Sequence, residues 1–450
     1  MLIVGLLIGA GITYLAAPSL GLGGATTTTV SGGVTTVTGG ATTVTSRVTS
    51  TVTAPGGGGL CNGQTITIGA LFDLSGGLSN LGRRSSVSGQ LAIDDVNAAL
   101  AAAGCDLTFA LSVSDYALNN DQALAAVQAF AAQGVSVVLG PFNSGSAQFI
   151  LSYANENHIV IVSPSSTAAT LAIADDYLFR TAPNDLAQGP AIARMLRDRG
   201  VEAVIVVNRI DAYGDGLADS VIARFEQLGG TLVDQIRYDT TTTDFTAVLT
   251  QMSSDWQTAS GTFGADNVAI EVISFEEIGS MLVQAHTSFP DLLDTPLPWF
   301  GSDGQAQNGV IVNASTSGPY MAQIRLPSTL FAVTNNTRTL AFFERYTAAL
   351  PGNACEFYCL EIYNDVWLGA LSILTAGQND GAAVHAVFPT VAAGFFGLTG
   401  WEGLQASGDR DPFPGEYQIW MVVQAGQAYT WILAGVYHGS SDTVTWTTEP

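Results

Sequence analysis

The chain has 450 residues, a net charge of −24 and only 12% charged residues, about half the ~25% of an ordinary soluble domain. All 14 basic residues are arginine and lysine is absent, which excludes a P-loop lysine, a Schiff-base lysine and a Ser–Lys dyad from this chain. The acidic balance argues against nucleic acid or anionic membrane surfaces as partners, since both need basic patches, and the length exceeds one ordinary core, so two lobes plus an accessory segment are expected.

Met1–Ala17 is apolar and uncharged, and Pro18 ends it. A run this short sits at the lower limit of a membrane span and also suits the apolar core of a secretion signal. Ala16 and Ala17 suit signal cleavage but the proline after them does not, and no basic residue precedes Arg47 to set an orientation. Residues 1–23 are read as an uncleaved anchor helix, with a helix packed into a filament as the alternative. Residues 24–60 are rich in threonine, valine and glycine. That composition suits a linker, or an O-glycosylated stalk holding the rest of the chain off a membrane or wall. Its Thr-Val alternation also fits strands pairing in an assembly, and Gly56–Gly59 follows as a swivel.

From residue 65 short β-branched runs alternate with amphipathic ones, the pattern of βαβ units and parallel sheets. A first strand is expected to open the segment 65–82, followed by strands at 106–115, Val135–Leu139, Ile159–Val162, 203–209, 230–239, 268–275 and 298–304, with two aromatic-rich strands, EYQIWMVVQ and YTWILAGVYH, near the end. Helices are expected between them, and around 337–349 and 361–377. Cys61 precedes the first strand and Cys105 the second, so neighbouring parallel strands would bring the two together as a disulfide. Cys355 and Cys359 are near enough for a local disulfide; two cysteines without a nearby histidine make a poor zinc ligand set. Asn313 and Asn335 begin glycosylation-type sequons. Cysteines and sequons together suit an exterior protein.

The third and fourth strands break at their carboxyl ends into Asn143-Ser144-Gly145-Ser146 and Ser163-Pro164-Ser165-Ser166-Thr167, each followed by a helix-like segment. In a parallel sheet those ends face one crevice where ligands bind, and helix N-termini suit an anionic group such as a carboxylate. The alternative is ordinary N-capping by Asn143 or Ser144. Nothing points to catalysis. The four histidines are scattered without metal-ligand spacing, no G-x-S-x-G elbow or cofactor motif is present, Asp409 reads as a turn residue, and Glu276-Glu277 as the start of a solvated helix.

The segments VVLGPFNSGSA, IVIVSPSST and YLFRTAPND with Gln188-Gly189 after it resemble the branched-chain amino-acid-binding proteins of ABC importers, the class I periplasmic-binding-protein-like receptors. TITIGALFDLSGGLSNLG with LAIDDVNAA, VIVVNRIDAYGDGLADSV, FGSDG and FFGLTGWEGLQASGDR match in the same order, so the resemblance covers roughly residues 63–440. It implies two Rossmann-like α/β lobes joined by a three-strand hinge, with 61–182 and 326–398 in lobe one and 183–325 and 399–450 in lobe two. The stretch 319–328 would be the second crossing between them. It further implies that Ser144 and the Ser165–Ser166–Thr167 loop bind a ligand carboxylate, that Asp303 takes an α-ammonium, and that Tyr213 closes from lobe two. Two departures touch the ligand's identity: Leu81 stands where the family commonly has an aromatic, and Ser274-Phe275 where it has a tyrosine, Phe275 serving as an apolar wall.

The resulting expectation is an extracellular, surface-tethered solute receptor without a cofactor. It would deliver an amino acid, or a related small carboxylate or amide, to a separate ABC permease with its own ATPase. The alternative is a surface filament or structural protein, self-assembled through its N-terminal segment and built on the same fold.

Overall fold

The computed structural model describes residues 59–294, 297–333 and 336–448, with the backbone of four short strands between residues 27 and 53. Those strands, β1 (Thr27–Ser31), β2 (Thr35–Gly39), β3 (Thr42–Ser46) and β4 (Thr49–Thr53), pair antiparallel as β1 with β4 and β2 with β3. The segment expected as a linker or stalk is thus locally extended, in keeping with its β-branched composition. The expected anchor helix over 1–23 and the sequon asparagine Asn335 lie outside the described residues. Among the described residues no helix is long and apolar enough to cross a membrane.

The first lobe is a parallel sheet of β5 (Thr65–Phe72), β6 (Thr108–Asp115), β7 (Val137–Leu139), β8 (Val160–Ser163) and β9 (Leu178–Arg180), in the order β6-β5-β7-β8-β9. Its crossovers include α1 (Ser79–Ala102), α2 (Asn120–Ala132) and α3 (Ser144–Glu156). The chain then passes through α4 (Asp185–Asp198) to β10 (Ala203–Arg209), α5 (Ala212–Gln227), β11 (Thr231–Tyr238), α6 (Thr246–Phe263), β12 (Val268–Ile273), α7 (Ile278–Ser288), α8 (Asp291–Asp294), β13 (Trp299–Gly301), α9 (Gly318–Ile324) and β14 (Ser328–Phe331). Next α10 (Thr337–Ala349), α11 (Phe357–Ala376) and α12 (Gly381–Ala393) return to the first lobe, where α11 packs on α1 and β7 and α12 on β8. Finally β15 (Glu416–Ala425), β16 (Ala428–His438) and β17 (Thr443–Trp446) extend the second sheet, whose order is β11-β10-β12-β13-β14-β15-β16-β17.

Burial explains which runs read as unbroken apolar stretches. The inner strands β7, β8, β10 and β12 are buried along their whole lengths, whereas the edge strands β6 and β11 are largely part-exposed. A parallel sheet covered by helices on both faces demands that pattern. Two expected boundaries shift. Ser328–Phe331, expected after the crossing into lobe one, is a strand of the larger sheet, parallel to β13 and antiparallel to β15. Residues 399–410, expected in lobe two, bind the first lobe instead: Asp409 bridges Arg180 on β9, and Arg410 donates to Thr181 O at 3.3 Å.

Both disulfides form, Cys61–Cys105 across the starts of β5 and β6 and Cys355–Cys359 over the first turn of α11. Gly189 sits where α4 crosses α5. A Cβ there would lie 2.1 Å from Ser220 Oγ and 2.8 Å from the Ser220 carbonyl carbon, so only glycine permits this approach. Since overpacking costs about 1–3 kcal/mol, Gly189→Ala is expected to lower the thermal unfolding midpoint by roughly 2–5 °C, measured by calorimetry. An unchanged midpoint would mean that the helices are not this close.

Candidate functional site

The cleft between the lobes begins at the N-terminus of α3. Asn143 has the extended backbone of a capping residue, yet its side chain does not cap the helix. Its Oδ1 instead accepts from Tyr116 Oη at 2.9 Å, and that oxygen accepts from Phe142 N at 3.1 Å. The first-turn N–H groups therefore keep their partial positive charge free of an Asn143 cap. Ser144 Oγ accepts from Ala168 N at 3.0 Å, which leaves its own hydrogen to donate. The neighbouring hydroxyls are committed elsewhere: Ser165 Oγ donates to Phe142 O at 2.9 Å and Ser166 Oγ to Ser163 Oγ at 2.6 Å. Arg180 clamps the loop from behind through Ser166 O at 3.0 Å and Ala168 O at 2.8 Å, and pairs with Asp409 at 2.6 Å. Asp409, read as a turn residue, is buried because it neutralises this arginine.

Across the cleft stands Asp303, two residues past β13 and 7% exposed. Its Oδ1 accepts from Gln188 Nε2 at 2.9 Å and Tyr213 Oη at 2.7 Å, and its Oδ2 from Tyr358 Oη. Burial raises its pKa, and these three donors pull it back. Asp185, the first residue of α4, is fully buried. The Thr167 hydroxyl stands beside it and offsets part of that burial, but neither it nor the Asp185 oxygens make a hydrogen bond of ordinary geometry among the described residues. Burial first, and then the charge on Asp303, push Asp185 well above the usual carboxylate range. Two neighbouring buried carboxylates with only neutral donors form an environment that a cationic group would stabilise.

One cavity of about 30 Å³ touches both ends, lined by Ser144, Ser165, Tyr213 and Asp303 together with Leu81, Phe275, Phe142, Arg84, Glu356 and Tyr358. Of the expected ligand contacts, Ser166 and Thr167 do not line it. Phe275 is fixed as a wall between Tyr213, stacked at 5.2 Å, and the Arg209 guanidinium, 3.9 Å over the ring. Sequence reading missed Asp185, Arg84, Glu356 and Tyr358. Asp185 looks like an ordinary acidic first-turn residue, and the other three meet from positions up to 274 residues apart (358 − 84). The Cys355–Cys359 bracket around Glu356 and Tyr358 was the one available signal. A cavity of this size holds a water or two, so a larger ligand requires the lobes to part.

The lobes also touch at Glu276. Helix α1 has no side-chain cap and no acidic residue in its first turn. Glu276 of the other lobe supplies the negative charge, its Oε1 accepting from Asn80 N at 3.4 Å and from Asn308 Nδ2 at 3.3 Å. Glu277 pairs with Arg209 at 2.8 Å. The expected solvated pair is thus half-buried and bonded on both sides, Glu276 to the other lobe and Glu277 within its own.

A model of the family described as periplasmic binding protein matches residues 65–404. An uncharacterized protein of Methanocaldococcus jannaschii is 29% identical over 402 residues, 85% of this chain and 92% of that one. Among solved structures, a leucine binding protein from Thermotoga maritima superposes with a TM-score of 0.68 at 20% identity, covering 82% of this chain and 97% of that one. A branched-chain amino acid transporter substrate binding protein from Streptococcus pneumoniae, in complex with isoleucine, superposes at 0.64 with 23% identity, covering 82% and 100%. These two likenesses show the fold.

Burial, the largest cause, raises the Glu276 pKa to about 7 from 4.5; Asp73 and Glu277 add to it, and its hydrogen bonds to Asn308 and Asn80 oppose it. The closed, folded state therefore binds this proton more tightly than the open or unfolded chain, and the associated stability is lost as pH rises from about 4.5 through 7. Relative to Glu276→Gln, the wild-type protein is expected to lose several degrees of melting temperature between pH 5 and pH 8. Parallel pH profiles for the two proteins would show that Glu276 carries no such linkage.

Proposed function

We propose that this chain, which belongs to the periplasmic binding protein family, is a solute receptor. It closes its lobes over a small zwitterion, an amino acid or a related small carboxylate or amide, and passes it to a separate membrane permease. The observation that supports this reading is that one cavity is lined at once by Ser144, at an α-helix N-terminus free of an Asn143 side-chain cap, and by Asp303, with Asp185 behind it. The first end suits a carboxylate. The second suits an ammonium, and the separation of unlike charges across one small space fits a molecule that carries both. Ligand binding would exchange the Tyr213 and Tyr358 bonds to Asp303 for charge-assisted ones, which are stronger.

Energy for transport has to come from another subunit, since a chain without lysine has no P-loop lysine. Two disulfides support a working compartment outside the reducing cytosol. Attachment to the cell surface would fall to the segment before residue 59.

The test is a thermal-shift screen of the full chain against amino acids, amides and small carboxylates, followed by calorimetric titration of hits. A ligand present at 100 times its Kd should add about 2.7 kcal/mol of stability. Asp303→Asn is expected to weaken binding about 100-fold, because it leaves a buried ammonium without its counter-charge, and Ser144→Ala roughly 10-fold. No hit across the panel, or hits indifferent to both substitutions, would rule the reading out.

A further inference from the structure

Between its polar groups the cavity is lined by the apolar side chains of Leu78, Leu81, Phe142 and Phe275. Into it project two charges that the zwitterion reading does not use. Arg84 and Glu356 are 4% and 5% exposed, and their Nη2 and Oε1 atoms lie 3.2 Å apart. Replacing a buried ion pair by apolar residues of similar volume is often neutral or stabilising, so stability gives no reason for charges at this place.

Both partners retain bonding capacity that faces the cavity. Arg84 donates through Nε to Asn80 O at 3.2 Å, through Nη1 to Ala354 O at 3.0 Å and Gln307 O at 3.4 Å, and through Nη2 to Glu356. A guanidinium has five N–H donors, so one hydrogen on Nη2 remains. Among the described residues Glu356 Oε2 accepts one long bond, from Cys359 N at 3.4 Å. Beside the pair the Tyr346 hydroxyl is buried and has no partner among the described residues. The pair is also held rigidly: Glu356 caps α11, and the Cys355–Cys359 disulfide closes around it.

We propose that Arg84 and Glu356 read the far end of the ligand, and that this end is a neutral group offering both a donor and an acceptor, a side-chain carboxamide above all. The proposal rests on the zwitterion reading of the same cleft. A carboxamide places its carbonyl on Arg84 and its NH₂ on Glu356. A side-chain carboxylate would meet Glu356, and a side-chain ammonium would meet Arg84, each a like-charge contact in a site of low dielectric. An aliphatic side chain would cover both groups without satisfying the remaining capacity, and a site built to hydrogen-bond discriminates against such an analogue.

Calorimetric titration of the full chain with asparagine, glutamine, leucine, glutamate and lysine tests this. At least one of the two amides is expected to bind tenfold or more tightly than leucine, glutamate and lysine. Glu356→Gln, which keeps the shape, is expected to raise the affinity for glutamate at least tenfold relative to that amide; a pair with only a structural role would shift all ligands alike. If that variant does not fold, the wild-type panel decides alone. Leucine binding as tightly as both amides, and losing affinity in Asp303→Asn, would overturn this inference and leave the zwitterion reading in place. No binding by any of the five would overturn this inference, and a hit elsewhere in the wider panel would then leave the zwitterion reading in place.

Discussion

Asp303 is a carboxylate held almost out of water where the two lobes meet, and much of the surrounding structure follows from satisfying it. Its three donors come from α4, α5 and α11, so the lobes share one polar centre. Gln188 is bound in turn to Thr329 Oγ1 at 3.0 Å, which ties that centre to β14 and the larger sheet. An unpaired buried carboxylate would shift its pKa and neutralise. Neutral hydroxyl and amide donors hold it in place while leaving it open to exchange partners with a cation.

A second buried polar layer runs along the crossings between lobes. Arg410 pairs with Glu361 and, at 3.2 Å, with Glu402. Thr399 and Asn364 bond to both acids, and Asp365 accepts from Thr181 at 2.8 Å. Three buried acids share one arginine, and burial pushes all three upward. Together with Arg180–Asp409 this layer fixes residues 399–410 to the first lobe. Any hinge bending between the lobes would then fall to the short stretches that join them.

The cleft's charges are arranged by opposite strategies at its two ends. At α3 the obvious cap, Asn143, is drawn off to Tyr116, and a helix N-terminus is left with its positive field. At α1 a cap is absent from the local sequence, and Glu276 brings one from the other lobe. The α3 N-terminus is thus left without a cap from Asn143, whereas the α1 N-terminus meets an acid of the other lobe.

How much was legible from sequence depended on range. β-branched runs with turn residues after them marked β5, β7, β8, β10 and β12, because a strand buried on both faces must be apolar throughout. The hydroxyl-rich ends after β7 and β8 and the Cys355–Cys359 pair were equally local, whereas Cys61–Cys105, 44 residues apart, followed from the strands it precedes and the Asp303 loop from the family resemblance. The sequence by itself determined the α/β order, the two parallel-sheet lobes and the hydroxyl-rich strand ends that face the crevice between them. Only tertiary structure decided which hydroxyls remain free, that Ser328–Phe331 joins the larger sheet, that Asp409 is a buried partner of Arg180 and Glu276 a half-buried one of the other lobe, and that Arg84 meets Glu356 and Tyr358 meets Asp303. The reason is physical. Strand and helix patterns are written in neighbouring residues, whereas the cost of burying a charge, and hence its partner, is set by whatever the folded chain brings beside it.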